Sequence, residues 1–157
     1  MEINATFDAD LVGLKMKHDE DTGARTCTVE VVGTFGEDDL RNTFGAKLAA
    51  LAFASMEIDD SGRARFGFRE MKPTTICSKH TARMCAEELD TVPEIKKLAP
   101  AGGGKQEVSV TIAMPVLITS QKMIGDIAMR FGEGIEIELQ ARQLPLPIGD
   151  DVDSSAN

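Results

Sequence analysis

Within nine residues, Cys77-Ser-Lys-His80-Thr-Ala-Arg-Met-Cys85 gathers two thiols and an imidazole, the soft donors that zinc takes in tetrahedral sites. A helix over this stretch would set Cys77 near His80 and leave Cys85 about two turns from Cys77. The set is one donor short, and Cys27 and His18, the remaining candidates, stand at no signature spacing. Read as catalysis, Cys77 would be the nucleophile and His80 its base, with no orienting third group and no oxyanion site to complete them. Lys79 could lower the pKa of a neighbouring thiol, as lysines beside many cysteines do. The plainer expectation is buried thiols and a surface imidazole, so no metal ligand and no catalytic residue is assigned.

A second constellation is cationic. If Arg63 to Glu70 is a strand, Arg63, Arg65 and Arg69 share one face and Ala64, Phe66 and Phe68 the other. With Lys72, these arginines are the candidate binding residues for an anionic partner: phosphates, a carboxylate-rich protein or the acidic face of a second copy. The alternative is a solvated arginine face over a Phe core. Phe66-Gly67-Phe68 matches part of the aromatic motif of RNA-recognition sheets, but the basic and glycine positions before it do not. Single-stranded nucleic-acid binding through this strand would be strongly salt-sensitive.

Two further motifs fail on their geometry. Gly102-Gly-Gly-Lys105 is followed by Gln106 where a phosphate loop needs Ser or Thr, and it leads into a strand and not a helix. Asp19 and Asp21 before Gly23 lack the later bidentate acid of a calcium loop, and an exposed hairpin turn explains them.

The elements that must position these residues alternate between two periods. Val12, Leu14 and Met16 mark a strand in Glu2 to Lys17, which a polar turn joins to Arg25–Val32 as an antiparallel hairpin. Asp38 to Ser55 has helical spacing at Leu40, Phe44, Leu48 and Leu51, with Asp38 as its cap. Between Pro73 and Pro100 the expectation is a helix from Ser78 through Leu89 and a short one from Thr91 to Leu98, where Thr91 and Glu94 have capping-box spacing. Val108, Val110 and Ile112 alternate as a strand that Pro115 ends or marks as an edge. A helix from Thr119 or Ser120, with Met123, Ile124, Ile127 and Phe131 inward, stops at Gly132. Ile135, Ile137 and Leu139 form the closing strand.

These elements predict one α+β domain over residues 1–148, with two or more helices packed on one face of a mainly antiparallel sheet, and an acidic disordered tail at 149–157. A chain of 157 residues with 42% hydrophobic and 27% charged content can build such a core. Its seven Phe and absence of Trp and Tyr leave Leu, Ile, Val, Met and Ala as the main filler. The net charge of −9 opposes generic nucleic-acid binding. Three cysteines cannot all pair within one chain, and no signal-like or bilayer-length apolar run is present. A cytoplasmic location, no membrane role and no cofactor are therefore expected.

Pro115-Val-Leu-Ile-Thr-Ser, the capped helix ending at Gly132, Ile135-Glu-Ile-Glu-Leu and Gln143-Leu-Pro-Leu-Pro together resemble small accessory proteins of tailed phages and prophages. The resemblance spans about a fifth of the chain and carries over no catalytic residue. It implies a protein that interferes with a host nuclease or defence factor by occupying a basic nucleic-acid site. The expected function is thus a non-enzymatic, acidic interaction domain that binds another protein or itself.

Overall fold

Residues 1–142 are described by the computed structural model. The expected domain boundary at 148, the tail 149–157 and the Gln143-Leu-Pro-Leu-Pro run lie outside the described residues. Alternating apolar and β-branched residues draw the N-terminal part into a long antiparallel hairpin, β1 (Ala5–His18) and β2 (Arg25–Phe35). The polar turn between them is closed by Gly23 N–H donating to the Asp19 carbonyl over 2.7 Å. Two short helices follow, α1 (Glu37–Phe44) and α2 (Ala46–Phe53). Then come β3 (Glu57–Ile58) and β4 (Ala64–Arg65), paired only with each other.

The remaining elements are β5 (Thr75–Ile76), β6 (His80–Met84), β7 (Glu87–Thr91), β8 (Glu94–Pro100), β9 (Val108–Leu117), α3 (Gln121–Ala128) and β10 (Gly134–Ala141). Eight strands form one antiparallel sheet in the order β5-β8-β9-β2-β1-β10-β6-β7. The protein is therefore α+β, with a mainly antiparallel sheet and, among the described residues, three helices.

Only Val92 and Pro93 separate β7 from β8, yet β7 pairs with β6 and β8 with β9, toward opposite ends of the strand order. The sheet must roll to satisfy both pairings, and β7 touches β9. Inside the roll, Leu11, Val31, Ile112, Ile137 and Leu139 are fully buried. Each such aliphatic side chain contributes about 1.5–3 kcal/mol of apolar burial. Phe44 of α1 meets Phe35 at 5.2 Å and Phe7 at 6.1 Å between ring centroids, so this helix is fastened to the first hairpin by aromatic edges.

The expected single helix over Asp38 to Ser55 is two helices. Gly45 takes φ +100°, a backbone state that a side chain resists, and the chain turns there. Gly36 and not Asp38 holds the cap position, and Leu51 is exposed. The helices expected from Ser78 and Thr91 are strands: Ala82 pairs with Leu139 and Leu89, while Ile95 pairs with Ile112 and Leu98 with Val110. A bulge between Ile95 and Lys97 puts Ile95 and Leu98, three residues apart, on the same face, which reads in sequence as helical spacing.

β1 carries the same device between Leu11 and Gly13. Its buried residues are Phe7, Ala9 and Leu11, whereas Val12 and Met16 are exposed. Pro115 does not end β9; the β8 ladder stops at Ala113, and no further N–H is needed on that edge. Ser120 caps α3 by accepting the Met123 N–H at 3.1 Å, and Met123 and Ile127 are buried, while Phe131 is exposed.

Candidate functional site

The strand expected from Arg63 to Glu70 is confined to Ala64 and Arg65. Beyond Arg65 the chain leaves the ladder because Phe66 and Phe68 turn toward the core: Phe66 packs edge-on against Phe53 at 5.5 Å and against Phe68 at 5.7 Å. Both rings are half-buried, with edges engaged in this aromatic packing. The four expected binding residues are not brought together. Arg63 and Arg65 line a groove of about 430 Å³ beside Gly104, whereas Lys72 sits 3.5 Å from Glu70, which also approaches Lys97. Arg69 is exposed outside that groove.

His80 is fully buried, not the surface imidazole expected from sequence. Its Nε2 accepts the Ile3 N–H at 2.8 Å, and Nδ1 lies 2.7 Å from the Ser78 carbonyl, which assigns the proton to Nδ1. With both nitrogens engaged, the ring anchors the N-terminal segment on β6 and has no lone pair left for a metal or a nucleophile. Burial pushes the Cys27, Cys77 and Cys85 thiols above their ordinary pKa, opposite to what a reactive thiolate needs.

A groove of about 1020 Å³ lies between the β6–β7 turn and α3. Lys122 stands 2.7 Å from Asp126 and 3.8 Å from Glu87. The neighbouring Asp126 carboxyl, aided by burial, holds Glu87 above the usual carboxylate range, while Lys122 lowers Asp126. Cys85 lines the same groove.

The feature that sequence reasoning missed is on the outer side of the sheet. Asp8 on β1 is directly opposite Glu136 on β10, and both are exposed. Glu138 follows, paired across β6 with Arg83, which faces Glu88 on β7; Thr81 leads likewise to Asp90. Together with Asp10, six carboxylates thus share one outer surface, spaced about 6.8 Å along each strand. Arg83 serves Glu88 at 2.9 Å and Glu138 at 3.5 Å, and Arg142 serves Asp90 at 3.0 Å. Among the described residues, Asp8, Asp10 and Glu136 have no ion-pair partner. The alternation in Asp8-Ala9-Asp10 and Ile135-Glu-Ile-Glu138 was visible, but only the β1–β10 register sets the carboxylates side by side.

In comparisons with known proteins, the chain matches no family model, no curated protein and no solved structure.

Proposed function

We propose that the protein is a non-enzymatic interaction protein that engages a positively charged partner through the outer face of β1, β10, β6 and β7. The observation that carries this reading is the in-register opposition of Asp8 and Glu136. Like charges directly across a ladder cost stability, and among the described residues neither carboxylate has a cation within ion-pairing distance, although Glu136 shares a groove with Arg83, Lys122 and Arg130. A binding surface is a physical reason to keep them. Arrayed carboxylates imitate phosphate charge and raise the rate of encounter with a basic cleft.

The three helices, in this reading, share the inner side of the sheet, since Leu40, Phe44, Leu48, Met123 and Ile127 bury with the inward strand residues. The acidic face is then free for a partner. The resemblance to phage accessory proteins supports a host nuclease or other nucleic-acid-binding defence factor as that partner. Single-stranded nucleic acid as the ligand has less support, because Phe66 and Phe68 are packed inward and the net charge is −9.

The test is a panel of purified nucleases assayed on DNA with and without the protein at two salt concentrations. Inhibition of at least one enzyme, relieved by salt and by the combined Asp8→Asn, Glu136→Gln and Glu138→Gln changes, is expected. An unaffected panel, or inhibition that survives neutralisation of the face, sinks the proposal.

A further inference from the structure

Four arginines, Arg41, Arg83, Arg130 and Arg142, each lie within ion-pairing distance of a carboxylate. Arg63 and Arg65, like Arg25 and Arg69, have no such partner among the described residues; what sets Arg63 and Arg65 apart is a shared groove and a strongly organised loop. Asp59 Oδ1 accepts the Ser61 N–H at 2.9 Å, the Ser61 hydroxyl at 2.7 Å and the Arg63 N–H at 2.9 Å. Ala64 N–H donates to the Gly104 carbonyl at 2.8 Å, and the Gln106 amide to the Gly62 carbonyl at 3.3 Å, so this loop is tied to the glycine loop between β8 and β9.

Arg63 lies across Gly104. A Cβ there would stand 2.9 Å from Arg63 Nε and 3.0 Å from Cζ, and Gly104 has φ +75°. The positive φ favours glycine, and a side chain there would also displace the Arg63 guanidinium. The guanidinium fork is suited to the oxygens of a tetrahedral oxyanion.

We propose that the groove lined by Arg63, Arg65, Ile58 and Gly104 binds a single phosphate group, with the two guanidinia donating to its oxygens. The other charged lining residues set the size of the ligand. Asp59 is engaged within its own turn, and Glu57 stands opposite Arg65 across the short ladder. Two carboxylates against two guanidinia leave the lining near neutral, so a phosphate there is held by directed guanidinium hydrogen bonds and not by net charge, and the further phosphates of an extended polyanion are repelled. The site therefore fits an isolated phosphate, free or as a monoester, and is separate from the acidic face.

The experiment is an NMR titration of the full chain with inorganic phosphate at constant ionic strength, following the Arg63 and Arg65 Nε–H signals and the Gly104 amide. Saturable shifts confined to these signals are expected with phosphate and absent with chloride. Arg63→Gln and Arg65→Gln should each weaken binding at least about tenfold, the loss of charge-assisted hydrogen bonds. Arg65 is exposed, and an otherwise unchanged spectrum shows that its variant is folded. Equal shifts with chloride, or binding retained when both arginines are replaced, overturn the site. Binding of a ten-nucleotide oligothymidylate without binding of phosphate overturns the assignment to an isolated phosphate.

Discussion

The Thr91 hydroxyl donates to the Pro115 carbonyl over 2.8 Å, joining two strands that are five places apart in the sheet order. Thr91 is the last residue of β7 and is buried, and Pro115 lies just past the point where β8 leaves β9. This bond closes the roll where no ladder does. Thr91→Val preserves shape but leaves the Pro115 carbonyl without its donor, so a loss of about 1–3 kcal/mol is expected in urea unfolding. Hydrogen exchange should quicken along β7 before the β1–β2 hairpin. A stability change within error would show that water replaces the hydroxyl at no cost.

The β6–β7 turn is built on the wrong residues for its shape. Cys85 and Ala86 have φ +54° and +63°, the signs that a two-residue type I′ hairpin requires and that Asn-Gly supplies with little strain. A left-handed conformation costs a non-glycine residue roughly 1–2 kcal/mol, partly offset in the variant by glycine's greater freedom when unfolded. Ala86→Gly is therefore expected to stabilise the protein by about 1 kcal/mol, or about 2–4 °C in Tm. A drop in Tm would mean that the Ala86 methyl makes contacts worth more than the strain.

Much of the core was legible where strands keep a strict period of two: Val108, Val110 and Ile112, and Ile135, Ile137 and Leu139, are buried as their alternation implies. Legibility failed at the two bulges. Leu11 and Leu14 in β1, and Ile95 and Leu98 in β8, are three residues apart on one face because each strand carries an extra residue. His80 illustrates a different limit. Its burial depends on accepting an N–H from Ile3, 77 residues earlier in the chain, and no local pattern announces that contact. Arg63 and Arg65 were legible as cations, but their separation from Lys72 follows from the chain turning inward where Phe66 packs on Phe53 and Phe68 on Phe66.

The Asp59 turn should loosen in acid. The Ser61 hydroxyl, followed by the Arg63 N–H, holds the Asp59 carboxyl below its ordinary pKa. A depressed folded-state value means that the contribution is present above the unfolded value, about 3.9, and is lost as pH falls through the lower folded one. Glu87 has the opposite sign: its raised value makes ionisation unfavourable to folding as pH rises. An NMR pH titration should show the Ser61 and Arg63 amides moving together below about pH 4, while β9 amides stay fixed. Asp59→Asn should abolish that acid transition; its persistence would assign it to another carboxylate.

Glu136 offers a test in which stability and binding are expected to move in opposite directions. Its carboxylate faces Asp8 directly across the β1–β10 ladder, and like charges so placed are destabilising, by roughly 0.2–1 kcal/mol for an exposed cross-strand pair. Glu136→Gln keeps the side-chain length and removes the repulsion, so the variant should gain stability of that order at low salt and less at high salt, where the charges are screened. On the proposed function, inhibition of a basic nuclease by this variant should weaken, mainly through slower association. A residue kept only for solubility would show the first effect without the second. If Glu136→Gln instead lowers stability, the opposition of the two carboxylates is not a cost to the fold, and the reason given for reading this face as a binding surface is removed.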